Sequence, residues 1–187
     1  MMGEIWRDLN SLAEAVAGQP LSCRRKRAAL MARVLANDSF AVLVIWRARR
    51  KAARLRLPIV GSMLRRVQTT LFGVEIDQRA HLGEGVWMVH PVGTVVGGDS
   101  EVGDRVRLMG GNTVGTNTDD GYPRIEKDVV VGVGAKILGP VRVGAGARIG
   151  AGAVVLSNVP PGALALGMPA RIRPGRYKIT RSKGVES

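Results

Sequence analysis

The sequence predicts a mainly β protein with α-helices, in which a prism-shaped parallel β-helix follows a short basic helical region. Three observations predict this class: 22 of the 25 glycines lie at residue 73 or later, basic residues dominate before it, and aliphatic residues recur every six positions after it. We therefore divide the chain into a helical region at 1–72, a repeat domain at 73–172 and a C-terminal tail at 173–187, which we expect to be mobile.

The six-residue period is the strongest signal for the repeat domain. A helix repeats every 3.6 residues and a strand every two, so a period of six with frequent glycines indicates very short strands separated by turns. One aliphatic residue per unit then points inward and stacks on the next coil. A flexible glycine-rich segment would not keep these residues in phase. The predicted inward residues are Ile76, Leu82, Met88, Val96, Val102, Leu108, Val114, Ile125, Val131, Ile137, Val143, Ile149 and Val155.

Two interruptions of the repeat mark candidate site walls. Between Met88 and Val96 the phase slips by two residues, and His90 lies inside the slip. Between Val114 and Ile125 a unit is stretched into a polar loop. Extra residues in a regular solenoid must leave the prism as loops, and loops on a rigid scaffold often carry function. The other histidine, His81, precedes an inward leucine and is expected to face solvent.

The first 72 residues are predicted to form helices. They contain 14 basic and 4 acidic residues. We expect helices over Asp8–Ala17 and Ser22–Asn37, a third from Asn37 through Leu57 that Pro58 stops, and a shorter one to Leu71. Arginines beside the apolar run Phe40–Trp46 could lie on an anionic membrane surface. A solvated basic face that covers the prism explains them equally well. No nucleic-acid recognition motif accompanies the charge.

The sequence also indicates the cellular compartment of the protein. The single cysteine, Cys23, cannot form an internal disulfide, and the chain opens with no signal-peptide pattern. The longest apolar run, Phe40–Trp46, is far shorter than the roughly 20 residues of a membrane-spanning helix. We therefore expect a cytoplasmic protein, with the inner face of the membrane as a peripheral alternative.

The motifs GAKILG at 134–139, IGAGAVV at 149–155 and GMPARI at 167–172 give the domain a family resemblance. From about Val74 to Ile172 the chain resembles the hexapeptide-repeat acyltransferases, in particular the serine acetyltransferase branch. The resemblance implies a left-handed parallel β-helix, a homotrimer with active sites between adjacent prisms, and transfer of an acetyl group from acetyl-CoA to a hydroxyl group.

By this resemblance His90 matches the catalytic histidine, and Glu75, 15 residues upstream, matches its partner carboxylate. The chemistry suits both roles. An imidazole can accept a hydroxyl proton near neutral pH as the oxygen attacks the thioester, and a carboxylate on the other ring nitrogen orients the ring. A structural histidine and an exposed corner carboxylate are the alternative readings.

The resemblance also implies a coenzyme A site on the late coils. Backbone groups near Gly115, Val133 and Ala151 would contact the donor, and Arg148 and Arg171 would pair with its phosphates. Plain surface charge is the alternative for either arginine. No metal is expected, because a zinc hydratase with this prism needs three histidine ligands and the chain has two histidines.

Three positions depart from the family pattern. Val89 stands where the family has an aspartate before the catalytic histidine, and Gly121-Tyr122 replaces an Arg-His pair in the long loop. L-serine is the expected acceptor by family precedent, and these departures favour a sugar hydroxyl in surface polysaccharide biosynthesis as the alternative. The chain ends Val-Glu-Ser instead of the family's isoleucine tail, so we expect no complex with cysteine synthase.

Overall fold

The computed structural model describes residues 2–17, 37–116, 118 and 120–174. The helix expected over Ser22–Asn37, Cys23 and most of the C-terminal tail lie outside this part of the chain. Within the described residues, three helices precede the strands: α1 spans Met2–Ala17, α2 spans Asp38–Arg54 and α3 spans Pro58–Phe72. Among the described residues no helix is both long and apolar enough to cross a membrane.

Two predicted helix limits are wrong. Helix α1 begins at Met2 and not at Asp8, and Asp8 lies inside the helix, where its carboxylate accepts hydrogen bonds from Arg47 and the Gly85 N–H. Helix α2 ends at Arg54 and not at Leu57. The chain turns at Arg56, whose φ of 54° is left-handed, and Pro58 then occupies the first position of α3.

The strands of the repeat domain are two or three residues long and form three faces of a parallel solenoid. Face A is β1-β4-β7-β10-β13, face B is β2-β5-β8-β11, and face C is β3-β6-β9-β12-β14-β15; of the strands in the described part of the chain, only β14 and β15 pair antiparallel. Their bounds are β1 Glu75–Ile76, β2 His81–Leu82, β3 Trp87–Met88, β4 Val95–Val96, β5 Glu101–Val102, β6 Arg107–Leu108, β7 Thr113–Gly115, β8 Arg124–Ile125, β9 Val130–Val131, β10 Lys136–Leu138, β11 Arg142–Val143, β12 Arg148–Ile149, β13 Val154–Val155, β14 Leu164–Leu166 and β15 Arg171–Arg173.

The core confirms the six-residue repeat. All of the predicted inward residues are buried, none more than 7% exposed, and each stacks on its counterpart one coil away. His81 is exposed, as predicted. The corners are tight as well: a Cβ on Gly132 would lie 2.5 Å from the Ala151 backbone nitrogen, so this corner accepts only glycine.

Helices α1 and α2 cover the open end of the first coil. Without them, the edge of a parallel solenoid would leave backbone groups unpaired. Trp46 Nε1 donates to the Asp77 carbonyl at 3.2 Å, Arg49 donates to the Ile76 carbonyl at 2.8 Å, and the Met88 N–H donates to Ser39 Oγ at 3.0 Å. The Gly85 N–H donates to Asp8 at 3.1 Å. Helices α1 and α2 are therefore hydrogen-bonded directly to the first coil. The division of the chain at 72/73 and 172/173 stays a prediction.

Candidate active site

His90 lies at the corner that joins face C to face A after the first coil. The phase slip forms the turn there: the Thr94 N–H donates to the Pro91 carbonyl, and the Gly93 N–H donates to the Gly73 carbonyl at 2.8 Å. The side chain is exposed, and the imidazole makes no hydrogen bond to any described residue. Both ring nitrogens of His90 are therefore available to bind a ligand.

A glycine of the next coil supports the His90 backbone. Gly110 has a φ of 132°, and a Cβ there would lie 2.7 Å from the His90 carbonyl oxygen. The Gly110 N–H donates to Asn112 Oδ1 at 3.0 Å, and Asn112 Nδ2 donates to the Gly132 carbonyl at 2.6 Å. Asn112 is fully buried, so its amide links the corner of the second coil to that of the third. Sequence reasoning missed this residue, although a polar side chain at a small, inward repeat position was a visible signal.

Glu75 occupies the outward position of β1 and is exposed. Its carboxylate accepts a hydrogen bond from Arg65 Nη2 of α3 at 2.6 Å, and no hydrogen bond joins Glu75 to His90 among the described residues. The orienting role of Glu75 stays a prediction. Arg65 is a neighbour that sequence reasoning missed, because only tertiary packing brings α3 beside β1.

Two of the predicted donor-binding residues share the His90 corner. The corners of successive coils are linked by hydrogen bonds from Gly111 N–H to the Val92 carbonyl, from Gly134 N–H to the Gly110 carbonyl and from Gly152 N–H to the Val133 carbonyl. Val133 and Ala151 therefore lie two and three coils from His90. At about 4.8 Å per coil, these separations are roughly 10 and 14 Å along one edge.

The other three predicted residues lie away from this edge. Gly115 is buried at the far end of β7 on face A, where its carbonyl accepts from the Gly139 N–H at 2.9 Å. Arg148 is half-buried on face C between Val130 and Leu164, and Arg171 is exposed on β15. The structure thus places Val133 and Ala151 in line with His90, the two arginines on the adjoining face C, and Gly115 across face A.

The long loop after β7 folds back over the second coil. The Tyr122 ring lies against Gly98, where a Cβ would approach the ring to 1.9 Å, so Gly98 must be glycine for the ring to lie there. Gly121 has a φ of 132°. Val89 is half-buried and hydrogen-bonds through its backbone to Leu108. None of these three departures supplies a charged group, so they provide no partner for the charged ends of an amino acid.

The chain resembles known proteins in both sequence and structure. Residues 122–157 match the model of the bacterial transferase hexapeptide family, described as six repeats. The serine acetyltransferase of Synechococcus elongatus is 38% identical over 142 residues, which cover 74% of this chain and 58% of that protein. The serine acetyltransferase of Salmonella typhimurium is 44% identical over 112 residues, or 57% of this chain and 41% of that protein.

Solved structures of the same class superpose closely. A serine O-acetyltransferase from Brucella melitensis is 32% identical with a TM-score of 0.77, covering 91% of this chain and 68% of that chain. The chain belongs to the hexapeptide-repeat acyltransferases of the serine acetyltransferase type. Within this family, a serine acetyltransferase in complex with CoA has a TM-score of 0.79 at 29% identity, covering 91% of this chain and 68% of that chain. The Neisseria gonorrhoeae enzyme in complex with serine has a TM-score of 0.76 at 28% identity, with 90% and 69% covered.

The match is incomplete at the level of whole proteins. The chain spans 58% of the length of the Synechococcus relative and 41% of the Salmonella relative. The chain thus matches about half of the length of these curated relatives.

Proposed function

We propose that this protein is an O-acetyltransferase that transfers an acetyl group from acetyl-CoA to the hydroxyl of a small molecule, with L-serine as the leading acceptor. It rests on one observation: an exposed, unpartnered His90 stands on the same glycine-lined edge as Val133 and Ala151, in a fold shared with CoA-bound and serine-bound relatives. An extended thioester that lies along this edge would have its reactive end near the imidazole.

The reaction that suits this arrangement is direct transfer. His90 accepts the proton of the acceptor hydroxyl as that oxygen attacks the thioester carbonyl, and a positioned base of this kind accelerates a reaction by about 10²–10⁴-fold. The C–O bond forms, the C–S bond breaks, and the thiolate of CoA leaves and takes up the proton. Glu75 would orient the imidazole if its carboxylate released the hydrogen bond from Arg65 and accepted one from His90 instead. Gly115, Arg148 and Arg171 would contact more distant parts of the donor.

In a homotrimer, a neighbouring subunit could form a groove against this edge. Val92 and Val133 lie on the His90 edge and are 70% and 55% exposed. An exposed apolar edge beside a candidate catalytic group is what a neighbouring subunit would cover. The homotrimer that the family resemblance implies is consistent with this exposed edge.

A sugar hydroxyl in surface polysaccharide biosynthesis is the second candidate acceptor. The uncharged Val89, Gly121 and Tyr122 favour it, because an amino acid brings an ammonium and a carboxylate that need charged partners. The Tyr122 ring beside the loop offers instead a surface on which a sugar ring could pack.

We also propose a cytoplasmic location with a peripheral contact to anionic membrane, but through different residues from those expected. Phe40 and Trp46 are buried against the first coil, so the surface they were expected to form is not available. On α3, Ile59 and Met63 are 82% and 69% exposed and Arg66 lies on the same side of the helix. Such an apolar stripe with a cation suits the surface of an anionic bilayer.

The decisive experiment measures free thiol released from acetyl-CoA, with L-serine and with sugar acceptors, by the wild type and by His90→Ala. We expect acceptor-dependent release that falls by about 10²–10⁴-fold in the variant. The Lys136→Ala variant, altered on the outer surface of face A, serves as a control for folding. Release that persists at the wild-type rate in His90→Ala would reject the mechanism. Release with sugars but not with serine would move the acceptor to the second candidate.

A further inference from the structure

The first coil carries a cavity beside Glu75, where α3 packs against β1. Its volume is about 560 Å³, and it lies between the α2–α3 turn, the start of α3 and the β1 corner. Four arginines line it, namely Arg49, Arg56, Arg65 and Arg79, against two carboxylates, Glu75 and Asp77. The lining therefore carries an excess of two positive charges.

Arg49 is the unusual member of this group. The residue is only 6% exposed, yet it forms no ion pair with any described residue. One nitrogen donates to the neutral oxygens of Gln68, at 2.7 Å, and Ile76, at 2.8 Å, while its Nε is buried without a partner. Burial, and then the nearby Arg65 guanidinium, lower the pKa of Arg49. Asp77 and Glu75 attract Arg49 without forming a direct ion pair, so its buried charge is only partly compensated, and an anion in the adjoining cavity would relieve that cost.

The rest of the lining also has free donor capacity. Arg56 forms no ion pair with the described residues, and it sits at the cavity rim in a left-handed turn. Helix α3 begins at this wall with no side chain capping its N-terminus and no acidic residue in its first turn. The first N–H groups of a helix attract anions. Arg65 gives one nitrogen to Glu75 and keeps others for a ligand.

We propose that this cavity binds a phosphate monoester, held by Arg49, Arg56 and Arg65 together with the N-terminus of α3. A dianionic phosphate matches the excess charge of the lining, and its three oxygens match the spread of guanidinium donors. The phosphate could belong to a free ester or to a lipid headgroup, because the apolar Leu57 in the lining could contact the organic part of either. Glu75 lines this cavity but is not among the proposed phosphate ligands, so phosphate binding can be measured separately from acetyl transfer.

The test uses the full chain without acetyl-CoA and measures binding of inorganic phosphate and of glycerol 3-phosphate by calorimetry, at constant ionic strength against chloride. We expect one site per chain. Arg56→Gln should weaken binding by about tenfold or more, a loss on the scale of one charge-assisted contact. Arg54→Gln, an equal charge change two residues away and outside the lining, should leave the affinity unchanged. Arg49→Lys keeps the charge but loses the planar donors and should also weaken binding.

A second arm separates the sources of the phosphate. Sedimentation with phosphatidylcholine vesicles, with and without phosphatidic acid, tests the lipid headgroup with the same variants. Binding of vesicles that contain phosphatidic acid, lost in Arg56→Gln and kept in Arg54→Gln, supports the site with a lipid source. Binding of soluble phosphate alone supports it with a free ester. Absence of saturable binding in both arms, or equal weakening by Arg54→Gln and Arg56→Gln, overturns the proposal. If Arg49→Lys does not fold, the exposed Arg56 still decides.

Discussion

The covered end of the prism and its outer wall use arginine in opposite ways. At the covered end, Arg47 holds the buried Asp8 through two hydrogen bonds of 2.6 and 3.0 Å, and Arg49 reaches the first-coil backbone. On the wall, Arg124 pairs with Glu101 at 2.8 Å while both side chains remain largely in solvent. Exposed pairs contribute about 0–1 kcal/mol, whereas breaking a buried pair is far more costly. The high positive charge of the helical region is thus partly structural and not simply a solvated surface.

The largest effect that separates the two regions is expected from Asp8→Ala. Removal of the buried carboxylate leaves Arg47 uncompensated and the Gly85 N–H unpaired. We expect the free energy of unfolding in urea to fall by about 3–5 kcal/mol.

The matched wall variant is Glu101→Ala, which removes the exposed partner of Arg124. The expected loss is less than about 1 kcal/mol. Losses of similar size in the two variants would mean that the helices contribute no more to the solenoid than the wall pairs do.

A smaller loss of stability is expected from substitution of two glycines on the His90 edge. Gly110→Ala places a Cβ 2.7 Å from the His90 carbonyl at a φ of 132°, which should cost about 1–3 kcal/mol and displace His90. Gly134→Ala, at a φ of 69° with open space around it, meets only the left-handed backbone penalty of about 1–2 kcal/mol.

Urea unfolding and the rate of thiol release are measured for both glycine variants. The transfer rate should fall more in Gly110→Ala than in Gly134→Ala, relative to their stabilities. If both rates fall in proportion to stability alone, then Gly110 does not position His90.

The same contrast explains what the sequence could predict. Inward residues such as Val131 and Ile137 belong to consecutive units of a local repeat, so the six-residue period alone was enough to predict that they are buried. The Asp8–Gly85 bond joins residues 77 positions apart, and no local pattern indicates it. At the site, the phase slip located His90, but the Arg65–Glu75 pair depends on how α3 packs beside β1.

The smallest effect concerns carboxylates of the wall and acid pH. Hydrogen bonds from Arg142, at 2.7 Å, and from the Ala145 N–H, at 2.8 Å, lower the pKa of Glu126. Hydrogen bonds from Arg105, at 2.7 and 2.8 Å, lower the pKa of Asp128. Because each pKa lies below its unfolded value, the stabilisation is complete above about pH 4–5 and is lost as the pH falls through the folded pKa.

Glu126→Gln and Asp128→Asn mimic the protonated forms of these wall carboxylates. Asparagine also tolerates the left-handed φ of 62° at position 128. Each variant should therefore be less stable than the wild type in urea at pH 7, and the difference should shrink toward pH 2 as the wild-type carboxylates become protonated. A difference that stays constant with pH would assign the effect to packing. Because these pairs are exposed, raising the salt concentration at pH 7 should reduce the same difference, whereas the effect of Asp8→Ala, buried under α2, should persist.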